Sequence, residues 1–178
     1  MKLVLSLQSG DKKSAPSWRE FFKDLKVREL DGSKVTLGIM DGLPELETVF
    51  KEEFPQARTL RCQVHVARNI LAKVPKKFKQ EVADDLCFIF YAPSRETAWA
   101  SFESFWQRWQ KSIPFAVKCL ERRIDACLTF FNFPPQEWIS LRTTNIIERL
   151  NKEYRRRTRP MEILAVEAAC YRIRLLSV

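Results

Sequence analysis

Val35-Thr-Leu-Gly-Ile-Met-Asp-Gly42 is a short, mostly apolar run closed by a carboxylate and a glycine. Six residues are too few for a helix that buries itself. A run of this length ended by a turn signal reads as a buried strand over 35–40. Downstream, residues 43–54 repeat Leu46, Val49, Phe50 and Phe54 at helical spacing, and Pro55 stops the pattern. Residues 59–63 read as another short strand. Upstream, Leu3, Leu5 and Leu7 alternate before Ser9-Gly-Asp11, the pattern of a strand over 2–7. Ser14-Ala-Pro-Ser17 then opens a helix with Trp18, Phe21, Phe22 and Leu25 on one side, ended near Asp31-Gly32. The chain therefore begins β-α-β-α-β. Two or three strands need further partners or cover, so this is part of an α/β domain.

Beyond residue 63 the pattern turns helical. Residues 64–73, 78–91, 94–111 and 114–131 read as helices, punctuated by Pro75, Pro93 and Pro114 and closed by Pro134-Pro135. A last pair spans about 145–158 and 161–176. The fold class is α/β, mostly α in this chain, with a large helical insertion: residues 1–63 form the partial α/β core, 64–140 the insertion, 141–178 the returning helices. Trp99, Phe102, Phe105, Trp106 and Trp109 recur at spacings of three and four. A base-stacking platform would use such residues. An amphipathic core face explains the periodicity better.

The chain has 178 residues, 46% of them hydrophobic and 30% charged, which suits one globular domain or a domain with an insertion. Twelve per cent aromatic residues argue against disorder throughout, and four glycines exclude glycine-linker and collagen-like designs. No stretch of 18 apolar residues appears, and the N-terminal apolar stretch is too interrupted for a signal peptide. Five cysteines without a Cys-x-x-Cys pair suit a reducing cytoplasm. The net charge is +9. Residues 58–79 carry +7 with no acidic residue and 142–159 carry +5, leaving the rest at −3. Charge gathered in two patches is suited to a polyanion, usually nucleic acid.

Few residues have the chemistry of a reactive site. Asp41 at the end of a buried strand faces the crevice where open α/β sheets bind ligands, and Asp41-Gly42 is equally a turn sequence. Glu148 lies three residues after Asn145, the spacing of a capping box, and a carboxylate there suits a cap or a metal ion alike. Arg155, Arg156, Arg157 and Arg159 splay around one helix, so not all can rest on the protein body. A phosphate track is one use for them, and a solvated helix C-terminus, which favours cations, is the other. Cys62-Gln-Val-His65 offers two zinc-type ligands, but no second Cys/His pair completes a structural site. A packed thiol and a hydrogen-bonded imidazole fit better. His65 is the only histidine, and there is neither a Gly-x-Ser-x-Gly elbow nor a glycine-rich phosphate loop. Serine hydrolysis, nucleotide hydrolysis and hydride transfer thus have no support.

Several stretches together resemble the Mutator-type transposases of bacterial insertion sequences. They are Trp18-Arg-Glu-Phe-Phe-Lys-Asp-Leu-Lys26, Met40-Asp-Gly-Leu43, Phe54-Pro-Gln-Ala57 and Arg61-Cys-Gln-Val-His-Val-Ala-Arg-Asn69. Further on come Ala92-Pro-Ser-Arg-Glu96, Phe133-Pro-Pro-Gln-Glu-Trp138 and Arg142-Thr-Thr-Asn-Ile-Ile-Glu-Arg-Leu-Asn151. The resemblance implies an RNase H-like fold, partial in this chain, and an Asp-Asp-Glu triad. Asp41 would be the second Asp, Glu148 the Glu, and Cys62 with His65 the family's Cys-x-x-His. Three carboxylates would hold two Mg²⁺ (or Mn²⁺) ions on a scissile phosphate, one activating water or a DNA 3′-hydroxyl, the other stabilising the leaving oxygen. Arg142, Asn145, Arg149, Lys152, Arg155, Arg156, Arg157 and Arg159 would contact DNA.

The same resemblance implies insertion-sequence ends and target DNA as partners, a homo-oligomer at full length, no membrane, no small-molecule cofactor, and a nucleoid-associated place in the bacterial cytoplasm. The family's first Asp belongs to a strand upstream of residues 2–7, and its N-terminal DNA-recognition region and C-terminal end have no match here. On that expectation the chain is a partial transposase that does not catalyse transposition alone. The alternative is a remnant that binds only DNA or a full-length transposase.

Overall fold

The computed structural model describes residues 5–6, 14–142, 148–149, 152–153 and 156, and all that follows concerns these. The chain divides into two units, Met1–Val35 with Leu43–Gln56 and Asn145–Val178, and Thr36–Gly42 with Ala57–Thr144.

The first unit is built on two helices. Helix α1 covers Ala15–Val27 with Pro16 in its first turn, where a missing N–H costs nothing. Helix α2 covers Pro44–Glu53, with Glu45 and Glu47 at its positive end. They pack through phenylalanines: Phe22 meets Phe54 edge-on at 5.3 Å and Phe50 at 6.0 Å between ring centroids. The rim is ionic, with Lys26 Nζ 2.7 Å from Glu53 Oε2 and Arg19 Nη2 2.6 Å from Glu52 Oε2. Helix α1 ends in a left-handed residue, Glu29 (φ +67°). There Leu30 N–H donates to Leu25 O and Glu29 N–H to Lys26 O. The strand expected over 2–7 falls mostly outside the described residues. Leu5 and Ser6, its two described members, belong to no strand.

The second unit carries the sheet. Strand β1 (Leu37–Met40) pairs in parallel with β2 (Arg58–Arg61), in the register Leu37↔Arg58, Gly38↔Thr59, Ile39↔Leu60 and Met40↔Arg61. A parallel pair needs a crossover connection, and α2 lies in the intervening sequence. The expected strands at 35–40 and 59–63 are thus present and shorter than the sequence pattern suggests.

The helices that follow are α3 (Gln63–Leu71), α4 (Lys79–Phe90), α5 (Arg95–Trp109), α6 (Pro114–Glu121), α7 (Ile124–Cys127) and α8 (Trp138–Leu141). Their core joins Ile70, Leu86, Ile89, Phe105, Leu120, Ile124, Leu128 and Phe130 around Leu60 of β2. On α5, Phe102, Phe105 and Trp109 are buried, and Trp109 Nε1 donates to Asp85 Oδ2 at 2.7 Å. The aromatic row is core, with Trp106 alone at the surface.

The single helix expected over 114–131 is broken. Arg123 leaves helical geometry (φ −126°, ψ −11°), and its Nη1 donates to Cys119 O at 2.9 Å, drawing that carbonyl out of the helical ladder. Beyond the break Ile124, Cys127, Leu128 and Phe130 are buried. Helix α8, beyond Pro134-Pro135, has no counterpart in the sequence reading because four residues carry no period. Among the described residues no helix is long and apolar enough to cross a membrane.

Candidate active site at the carboxyl edge of the sheet

Parallel strands put both of their carboxyl ends on one edge. Asp41 follows β1 and Cys62 follows β2, and Cys62 N–H donates to Met40 O at 2.9 Å, extending the ladder by one rung. Asp41 is exposed, so its carboxylate oxygens are open to solvent. Gly42 behind it holds φ +113°, and a Cβ there would stand 2.0 Å from Arg61 Nη1. The glycine therefore turns the chain and lets the Arg61 guanidinium lie against its backbone. This places a cation beside the Asp41 turn, an arrangement that spacing alone did not reveal.

Helix α3 starts at the same edge. Cys62 is its N-cap and fully buried, and His65 is half-buried in its first turn. Gln63 is buried, with its Nε2 donating to Cys127 O at 2.9 Å. Burial pushes the Cys127 thiol up to about 12, with the opposing pull of Arg61 too weak to offset it. Both Cys62 and Cys127 are buried inside the fold. Among the described residues, no group of three or more His, Cys, Asp or Glu side chains gathers to hold a metal ion.

Of the residues singled out near the C-terminus, Glu148 is helical and half-buried. Arg149, Lys152 and Arg156 are helical and exposed. Arg156 pairs with Glu153 at 2.7 Å, and that hydrogen bond and charge raise its pKa further. Asn145, Arg155, Arg157 and Arg159 lie outside the described residues. Glu148 belongs to the first unit and Asp41 to the second.

Arg142 departs from the picture of an open phosphate contact. Its guanidinium carbon lies 4.7 Å from the Phe130 ring centroid and 5.1 Å from that of Tyr91. Burial lowers its pKa, and Tyr91 acts in the opposite direction. The basic stretch 58–79 does face water: Arg58, Arg68, Lys73, Lys76, Lys77 and Lys79 are all exposed.

The donor set tests the expected metal. Mg²⁺ prefers hard oxygen ligands and keeps several waters, so it is held by a few carboxylates with access to solvent. Asp41, exposed at the carboxyl edge, meets that requirement, and Glu148, in the other unit, is a half-buried carboxylate. The buried Cys62 does not take part in such chemistry.

A family model described as "Transposase, Mutator family" matches residues 1–178. The chain is 32% identical over 170 residues to the transposase for insertion sequence element ISRM5 of Rhizobium meliloti (strain 1021), covering 96% of this chain and 42% of that protein. It is 34% identical over 171 residues to the transposase for insertion sequence element IS406 of Burkholderia multivorans, covering 96% and 44%. It is 30% identical over 171 residues to the transposase for insertion sequence element IS905 of Lactococcus lactis subsp. lactis, covering 96% and 43%. The chain thus spans somewhat less than half the length of these curated relatives. With the family match running over every residue of the parallel β-α-β unit and the helices after it, the chain belongs to the Mutator family of transposases.

Proposed function

We propose that this chain is the catalytic-domain segment of an insertion-sequence transposase of the Asp-Asp-Glu class, built on a partial RNase H-like core with a helical insertion. The observation that carries the reading is Asp41, exposed at the carboxyl edge of a parallel β-α-β pair, in a chain matched throughout by the family. Asp41 and Glu148 would hold Mg²⁺ or Mn²⁺ through their carboxylate oxygens, and the ion would supply activation of a water or a DNA 3′-hydroxyl and neutralisation of phosphate charge.

The chain's own residues do the rest. Arg61 lays a positive charge beside the Asp41 turn, where a phosphodiester backbone can approach. Arg149, Lys152 and Arg156, exposed, contact the DNA backbone, and Asn145, Arg155, Arg157 and Arg159 are further DNA contacts by the family resemblance. The exposed lysines and arginines of 58–79 add a second, sequence-independent phosphate contact. Cys62 and His65 pack the start of α3 and keep the edge in shape. The partner is element-end and target DNA, and the full-length protein acts as a homo-oligomer in the bacterial cytoplasm.

The test is nicking of plasmid DNA carrying insertion-sequence ends, with Mg²⁺ or Mn²⁺. Metal-dependent nicks that leave 3′-hydroxyls and vanish in both Asp41→Asn and Glu148→Gln support the proposal. Nicking that survives both substitutions overturns it. The exposed basic surface favours one second reading, a module that binds DNA or a full-length transposase without chemistry. DNA binding without any nicking selects that reading instead.

A further inference from the structure

We propose that the second unit carries a phosphate-binding cleft at the amino edge of its sheet, built on Arg58 and Arg95 and separate from the Asp41 edge. The ligand is a phosphate group, carried by a DNA backbone or by a small phosphorylated molecule. The inference goes beyond the metal reading and does not depend on it.

Parallel strands gather their amino ends on one edge as well. Arg58 opens β2 there, four residues before Cys62 at the opposite edge. At about 3.3 Å per residue the two ends stand about 13 Å apart. Beside Arg58 lies a cavity of about 400 Å³ whose polar lining is Arg58, Thr59, Arg95, Asp125, Thr129 and Asn132. All six belong to the second unit. They come from β2, from the start of α5, from α7 and from the short 3₁₀ turn Thr129–Asn132.

Arg95 belongs to the stretch Ala92-Pro-Ser-Arg-Glu96, which has no part in the Asp41 edge. It is the first residue of α5, the positive end of a helix, where a cation is disfavoured. Two acceptors hold it there. Its Nη2 donates to Asp125 Oδ1 at 2.8 Å and its Nη1 to Leu128 O at 3.4 Å. A guanidinium has five N–H donors, and these bonds use two. Among the described residues the others have no hydrogen-bond partner, and the side chain keeps 35% of its surface exposed.

Arg58 is less engaged still. Its backbone N–H donates to Thr36 O at 2.9 Å, which fixes the strand. Its exposed guanidinium makes no hydrogen bond or ion pair among the described residues. Asn132 Nδ2 spends one N–H on Thr129 O at 3.1 Å and keeps the other. The groups left over are mostly donors, from two guanidiniums, the Thr59 hydroxyl and an amide. Such an excess suits a ligand whose oxygens accept, and a guanidinium fork matches phosphate oxygens two at a time. Asp125 is the one carboxylate of the lining, and its Oδ1 is taken by Arg95. Two arginines against one aspartate leave the lining with a net positive charge.

Inorganic phosphate, titrated into the chain at fixed ionic strength without metal, tests this through the backbone amide shifts of Thr59 and Asn132. The cleft predicts saturable shifts at both. Arg58→Gln weakens the binding by about tenfold, because a charge-assisted hydrogen bond is lost, and leaves the unfolding midpoint unchanged. Lys76→Gln, an exposed lysine outside the cleft, stays within about twofold of the wild type. Arg95→Lys also weakens binding by about tenfold although net charge is kept, because the fork is gone. Should Arg95→Lys fail to fold, Asn132→Asp puts a second carboxylate in the lining and must weaken phosphate at least as much. Shifts that never saturate, or that respond to Lys76→Gln as strongly as to Arg58→Gln, mean diffuse screening and overturn the proposal. Unmoved Thr59 and Asn132 amides also overturn it. Random-sequence duplex DNA then separates the two sources, both of which support a phosphate cleft. Phosphate displaced by DNA, with the same two amides moving, assigns the cleft to the DNA backbone. Phosphate that still binds at saturating DNA assigns it to a small phosphorylated molecule.

Discussion

Gly42 stands at φ +113° with Arg61 Nη1 in the space a Cβ would take. The guanidinium is the far end of a flexible side chain and can move, so the backbone angle decides the cost. Gly42→Ala is expected to destabilise the fold by about 1–3 kcal/mol, read as a lower urea midpoint at unchanged slope. Glu29 presents the opposite case. It occupies the left-handed position after α1 that glycine usually fills, so Glu29→Gly should stabilise by about 1 kcal/mol in the same experiment. Asp41-Gly42 could be located from the sequence because a carboxylate and a glycine ended an apolar run. The Arg61 contact could not be, since a long side chain's direction is set by packing. Arg142 illustrates the same limit. As one arginine in a basic stretch it reads as a phosphate contact, and only the positions of Tyr91 and Phe130, brought in from distant sequence, give it a different setting.

The aromatic periodicity of α5 was readable at the level of the element, because buried and exposed positions follow the helical repeat. Phe105 is almost wholly enclosed, whereas Trp106 beside it is 37% exposed. Phe105→Ala should cost about 3–5 kcal/mol in unfolding free energy. Trp106→Ala should cost under about 1 kcal/mol and leave DNA affinity within about twofold, a result a stacking platform could not give. The break between α6 and α7 was not readable. The buried positions Ala116, Val117, Leu120, Ile124, Cys127 and Leu128 keep one helical period across the break, so periodicity does not say where the helix stops. Strand β2 was readable only as a short apolar run, and its parallel pairing with β1 follows from the helix between them. Near the C-terminus, Arg149→Ala and Lys152→Ala should each reduce the salt slope of DNA binding by about one unit, uniformly across sequences.

For the whole molecule, the family resemblance lay in motifs scattered from Trp18 to Asn151, and the family match covers the entire chain. The thiols report on whether the second unit holds together. Cys127 has a pKa raised from 9.0 to about 12, so the folded protein keeps it as a thiol while the unfolded chain ionises it. The stability it contributes is present below pH 9 and is lost as the pH rises toward 12. Alkylation at mild alkaline pH should label the exposed Cys87 at once and reach Cys62 and Cys127 only as fast as the fold opens.

The central proposal is that Asp41 and Glu148 are metal ligands. Fe²⁺-directed backbone cleavage of the wild-type chain, Asp41→Asn and Glu148→Gln tests it most directly. The account predicts cuts beside both residues, competed by Mg²⁺, with either substitution removing both. Cuts elsewhere, or a cut beside Glu148 that persists in Asp41→Asn, would contradict it.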